Sequence, residues 1–199
     1  MNKETNIYKT SKYILTYLEN TRNESSTRAV LAQLRNSINK DLGSNIESLA
    51  FIFSMIPEER LGRGESLNYY EQALLTTLQA YAIYQQGEDG SVIYKNEDYP
   101  TKSLGQSLRA LRDPNDQVSN KSVDLRFNSL INSSDYNELD HHLRQMIKLL
   151  KSKSEERVDF ANLSRDLYAY QLGDFNPIRI KWARDYYWNT SKTKGEKND

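Results

Sequence analysis

The stretch HHLRQMIKLLKSK, residues 141–153, holds both histidines of the chain, His141 and His142, together with four basic residues and no acid. Two chemistries compete for it: metal or acid–base work by the histidines, and phosphate contact by the cations. Glu138-x-x-His141 matches the Glu-x-x-His element of di-iron helical bundles, but those sites need a second such element and two further glutamates. Adjacent helical residues point about 100° apart, so His141 and His142 do not readily share one ion. A histidine zinc site needs three inward ligands or acidic substitutes. The His-Asp order of phosphohydrolase-like sites is reversed here, as Asp140-His141. With no cysteine in the chain, disulfides, thiolate zinc and cysteine nucleophiles are excluded. Neither a G-x-S-x-G elbow nor a G-x-x-x-x-G-K-[ST] phosphate loop is present. No metal, cofactor or catalytic residue is therefore expected.

The cations carry more information. Leu139, Leu143, Met146, Ile147 and Leu150 form a buried stripe, and His141, Arg144, Lys148 and Lys151, spaced three, four and three, share another face. Arg28 and Arg35 lie seven apart. Lys102 and Arg109 repeat that spacing, with Arg112 three further on. Arg126 sits in DLRFNSL, and Arg179, Lys181 and Arg184 crowd the last segment. Arginine offers phosphate a fork and lysine a point charge. The competing reading is a set of solvated charge faces. No segment has the pattern of a groove-reading recognition helix, so contact with nucleic-acid backbone, independent of sequence, is the form such faces would take.

Net charge is zero and the pI near 6.8, which argues against a free-standing nucleic-acid binder. The charge is nevertheless sorted. Residues 61–100 carry two basic and six acidic residues, a net of −4; residues 101–154 carry nine and six, a net of +3.

Helices must position these residues. Apolar stripes run through 8–20 and 27–39, and IESLAFIFSMI forms a short helix before Pro57. The longest pattern starts at a Ser66 cap and stops at Gly87. Residues 87–100 read as a loop, SLGQSLRALRDP as a helix ending before Pro114, and SVDLRFNSLI as the next. Asp135 with Glu138 reads as a capping box, Asp159 as the cap of a helix ending at Gly173, and Asn176-Pro177 as the opening of the last helix. The expected class is all-α: a compact helical protein of two small bundles packed together, with a sub-bundle boundary near 87–101. Residues 1–11 read as a flexible N-terminal segment, 12–189 as the helical domain and 190–199 as a disordered tail. The apolar run of a secretory signal or membrane span is missing from the N-terminal region, which predicts a cytoplasmic protein without membrane contact.

Five segments, TRAVLAQLRNS, KSLGQSLRAL, SVDLRFNSLINSSDYNELDHHLRQMIKLLK, VDFANLSRDLYAYQ and IRIKWARDYY, occur in an order and at a spacing that resemble the small subunit of the type I-E CRISPR Cascade complex, the CasB family. The resemblance spans roughly residues 12–188. It implies a non-catalytic subunit, present in two copies along the belly of a surveillance complex loaded with guide RNA (crRNA). It implies contacts with the backbone subunits, the large subunit and the second copy. It also implies a basic surface that helps hold target DNA, above all the displaced strand. The positions matching the family's motifs are Arg28, Arg35, Arg109, Arg126 and Arg144, with Lys148 and Lys151 on the same helix as Arg144. Gln106 departs from the pattern, because the family often has arginine there. Apart from the resemblance, a helical adaptor that binds only protein is the alternative.

Overall fold

The computed structural model describes residues 3–38, 40, 46–95, 101–113 and 116–188. Nine α-helices are seen among them: α1 (Lys3–Asn20), α2 (Ser25–Asn36), α3 (Ile46–Met55), α4 (Tyr69–Gln85), α5 (Leu104–Leu108), α6 (Gln117–Ile131), α7 (Tyr136–Lys153), α8 (Phe160–Gln171) and α9 (Phe175–Tyr187). No β-strand forms among the described residues; one isolated parallel bridge joins Ile93 to Val158. The fold is all-α.

α4 is the axis. It is apolar on nearly every side, carrying Ala73, Leu74, Leu78, Ala80, Tyr81, Ala82 and Ile83 in the core, as a helix surrounded by other helices must be. α1, α2, α3, α7 and α8 all pack against it. α5, α6 and α9 gather around Phe127, Trp182 and Tyr186, with Phe127 and Tyr186 stacked 3.8 Å apart. The two groups are not consecutive in sequence. After α5, α6 and α7 the chain returns with α8 to lie along α1 and α4, so the expected boundary near 87–101 does not separate them. Residues 96–100 of that stretch lie outside the described residues, as does the expected tail 190–199.

Several ends differ from the sequence reading. The expected flexible segment 1–11 is helical from Lys3, because Ile7 extends the stripe of Ile14, Leu15 and Leu18 and is fully buried. The cap of α4 is Asn68 rather than Ser66: its side chain accepts from Glu71 N–H at 2.9 Å, while the Glu71 carboxylate accepts from Asn68 N–H at 2.8 Å and Gly62 N–H at 2.7 Å. α9 opens at Asp174, which leaves Pro177 at its third position. Asp135 caps α7 by accepting from Glu138 N–H at 2.9 Å, but Glu138 turns to Ser134 N–H and Oγ instead of closing the box.

Gln106 has a local explanation. Ser103 and Gln106 form a reciprocal capping box at the start of α5, Ser103 N–H donating to Gln106 Oε1 at 2.8 Å and Gln106 N–H to Ser103 Oγ at 3.2 Å. The helix tightens into a 3-10 turn over Arg109–Leu111, shorter than the continuous helix expected. At the second residue of α5, Gly105 lies directly beneath the Trp182 main chain of α9, and a Cβ there would collide with the Trp182 carbonyl. Since backbone on both sides resists displacement, Gly105→Ala is expected to cost about 2 kcal/mol or more. Urea denaturation should show a lower midpoint at unchanged slope.

Candidate nucleic-acid interface

α4 ends with orphan carbonyls, as every helix does. Cations from two other helices reach two of them. Arg35 of α2 donates from Nη1 to the Ala82 carbonyl at 3.2 Å. Lys151 of α7 donates from Nζ to the Ile83 carbonyl at 3.2 Å and to the Gln86 carbonyl. Partial burial lowers the pKa of both cations, and neighbouring Arg35 lowers that of Lys151 further. The negative end of the α4 dipole favours both charges.

This arrangement brings α2 and α7 together as one basic face. Arg35, Lys148 and Lys151 line a shallow cleft with Ile38, Ile83 and Gln86. Arg35 also borders a second cleft of about 370 Å³, whose lining includes Arg22, Arg28, Glu88 and Asp89. Arg28 and Lys148 are exposed and form no ion pair among the described residues. Thus four of the nine candidate cations, Arg28, Arg35, Lys148 and Lys151, converge. Sequence spacing missed Arg22. It arrives from the turn between α1 and α2, where helical periodicity has no reach, and only its proximity to Arg28 in sequence hints at it.

Three other candidates are engaged inside the molecule. Lys102 pairs with Glu156 at 2.5 Å and lies over the Tyr94 ring. Arg112 grips Asp124 through Nε and Nη2, at 3.1 and 3.4 Å, and rests on the rings of Tyr186 and Tyr187. Arg144 is buried and pairs with Asp140 at 2.7 Å, one turn away on α7. Arg126 is exposed on α6 and Arg109 half-buried after α5; neither forms an ion pair among the described residues. On α9, Lys181 pairs with the buried Asp166 at 3.2 Å and Arg179 donates to the Ser133 carbonyl and, at 2.8 Å, to the Tyr170 hydroxyl. Arg184 is exposed.

The histidines are occupied by their own helix. His141 Nε2 lies 3.0 Å from Gln145 Nε2, and His142 Nε2 lies 3.6 Å from Glu138 Oε1. Their rings are 5.4 Å apart and nearly perpendicular. Among the described residues, no three histidine, aspartate or glutamate side chains come together in a way that could hold a metal ion, and no helix is long and apolar enough to cross a membrane.

Fold and face together define a helical protein built around a buried central helix, with a cationic flank where that helix ends. The family model of the CRISPR-associated protein Cse2 matches residues 30–187. The crystal structure of CasB from Thermobifida fusca superposes with a TM-score of 0.70 at 19% identity, covering 92% of this chain and 98% of that one. CasB from M. ruber gives 0.64 at 24% identity, over 89% and 93%. A CRISPR-associated protein of the Cse2 family from Thermus thermophilus gives 0.62 at 22%, over 89% and 97%. No curated protein matches the chain by sequence. The chain belongs to the Cse2 (CasB) family, the small subunits of the CRISPR Cascade complex.

Arg144 offers a test of structural against surface roles. Arg144→Ala leaves the largely buried Asp140 carboxylate without its partner, and burial already raises the Asp140 pKa while Arg144 holds it down. The variant is expected to lose about 2–3 kcal/mol near neutral pH. Without Arg144 the folded-state pKa of Asp140 rises further above its unfolded value of about 3.9. The carboxyl is then best tolerated when protonated, so the deficit shrinks as pH falls toward that value and grows as pH rises through the folded pKa. Unfolding midpoints of variant and wild type across the acidic range measure this. A second expectation concerns the histidines: His141→Ala/His142→Ala should leave stability within about 0.5 kcal/mol of wild type. Elemental analysis of the purified protein should find no stoichiometric zinc, iron or manganese.

Proposed function

We propose that this Cascade subunit steadies the open, guide-paired state of target DNA. The basic face of α2 and α7 holds nucleic-acid backbone, chiefly the displaced strand, without reading its sequence. The observation that carries this reading is the convergence of Arg28, Arg35, Lys148 and Lys151, joined by Arg22, from separate parts of the chain onto one face. Arg28 and Lys148 supply the accessible charge. Arg35 and Lys151 anchor the face to α4 and keep donors to spare, since guanidinium has five and ammonium three. Arg126 and Arg109 are candidates for a second contact. Lys102, Arg112 and Arg144 act indirectly, by holding α5, α6 and α7 in place.

The subunit is non-catalytic in this reading, belongs to a type I-E complex and bridges its neighbours: the backbone subunits, the large subunit and a second copy. The exposed Tyr13, Tyr17, Val118, Leu125, Ile180 and Trp188 supply apolar contacts for such neighbours. Their presence also supports the alternative of a purely protein-binding adaptor, which the following experiment separates.

Arg28→Ala/Lys148→Ala removes two exposed charges without touching an internal ion pair. Assembled complexes carrying this variant are expected to contain all subunits and to bind target DNA more weakly, by a similar factor for every target sequence. Their log affinity against log salt should be shallower by about 0.7 for each lost phosphate contact on a single strand. A variant complex of normal composition whose salt curve overlays the wild type defeats the basic-face mechanism.

A further inference from the structure

The basic face has an acidic border that the proposed function does not use. α4 ends at Gln85 and the chain turns through Gly87, whose φ is +77°. Left-handed backbone of this kind favours glycine. Gln85 Nε2 holds the turn by donating to the Glu88 carbonyl at 2.9 Å and to the Gly90 carbonyl at 3.2 Å. Glu88 and Asp89 follow, both exposed, in the same cleft as Arg22, Arg28 and Arg35. Neither carboxylate forms an ion pair among the described residues, so neither is fixed to one cation. Glu88 nevertheless acts on Lys151, opposing the effect of its burial. The acids thus share the cleft with the cations, and neither is committed to one of them by an ion pair among the described residues.

From this geometry we infer that the Gly87–Gly90 turn is a built-in electrostatic competitor. Its two carboxylates stand in for phosphates beside Arg22, Arg28 and Arg35, and weaken the binding of stray single strands to the subunit. The inference rests on the basic face being a backbone-binding surface, and adds how that surface is regulated. Five cations, Arg22, Arg28, Arg35, Lys148 and Lys151, against two acids leave a local charge of +3. Carboxylates within the Debye length, about 8 Å at physiological salt, repel an incoming phosphate. A strand already delivered by guide pairing is present at high effective concentration, and that advantage outweighs a penalty of this size. A freely diffusing strand has no such compensation. The turn therefore raises the contrast between delivered and adventitious nucleic acid.

The test uses the full-length protein and fluorescein-labelled oligo(dT), titrated by fluorescence anisotropy at several salt concentrations. Glu88→Gln and Asp89→Asn keep size and hydrogen bonding while removing charge. Each is expected to tighten binding about threefold at low salt, and the double variant about tenfold, as two carboxylates roughly 7 Å from the strand in a water-like dielectric imply. The gain should fade as salt screens it. Arg28→Ala/Lys148→Ala is measured alongside. If that variant binds more weakly while Glu88→Gln/Asp89→Asn overlays the wild type at every salt concentration, the competitor idea is overturned and the basic face stands. If both variants overlay the wild type, the face binds no phosphate and both readings fall.

Discussion

The burial of α4 is the constraint on which the rest depends. A helix enclosed on all sides cannot leave its end groups to water. At its N-terminus the answer is internal to the chain nearby: Asn68 and Glu71 close a capping box, and Glu71 reaches on to Gly62. At its C-terminus the Glu88 N–H serves the Gln85 carbonyl, while donors for the Ala82 and Ile83 carbonyls come from α2 and α7. Cations are well suited there because the dipole favours them and their long stems reach in from neighbouring helices. The same side chains that finish the central helix thereby bring two sequence-distant basic segments onto one face. Folding requires Arg35 and Lys151 to be placed there, and Arg28 and Lys148, one or two turns away on the same helices, follow them.

A second polar junction fixes the other group of helices. Asp166 of α8 is almost wholly buried and accepts from Trp182 Nε1 at 2.8 Å and from Lys181 Nζ at 3.2 Å. A buried carboxylate is tolerated only with such partners. α9 is thereby oriented on α8, and Asp185 on the same helix accepts from Ser103 Oγ at the start of α5. α5 can then press Gly105 against the α9 backbone. Lys181, read from sequence as part of a cationic cluster, is better understood as a member of this junction.

Local patterns were legible in the sequence because they depend on neighbours three or four residues away. The stripe Leu139, Leu143, Met146, Ile147, Leu150 is buried as its spacing requires, and Asp135 and Asp159 cap the helices they precede. Within the candidate site, the pairs Arg28/Arg35 and Lys148/Lys151 were visible singly, but their meeting was not. That meeting depends on α4 lying between α2 and α7, a tertiary fact. The engagement of Arg112 by Asp124, twelve residues on, and of Lys102 by Glu156 was hidden for the same reason. Arg144 is different. Its partner Asp140 stands four residues before it, the spacing of a helical ion pair, so the sequence held the clue that this arginine faces inward with an acid. The S-x-x-Q signature at Ser103 was likewise present, and explains Gln106 as a cap rather than as a missing cation.

A neutral protein suits the proposed role better than a basic one. Replacing a DNA duplex by a guide–target duplex is close to balanced in free energy, so a modest contribution to holding the displaced strand is enough to change which state persists. Each phosphate contact adds affinity that salt weakens and that no sequence modulates. A subunit with many such contacts would bind any exposed strand before joining its complex. The structure limits the number: Lys102, Arg112 and Arg144 are committed to internal acids, Arg35 and Lys151 are shared with the end of α4, and Glu88 and Asp89 border what remains. The face around Arg28 and Lys148 is fixed in position by the core and, in the proposed role, acts where a strand is already held beside it. On this view the specificity of the contact comes from delivery of the strand by guide pairing rather than from the face itself.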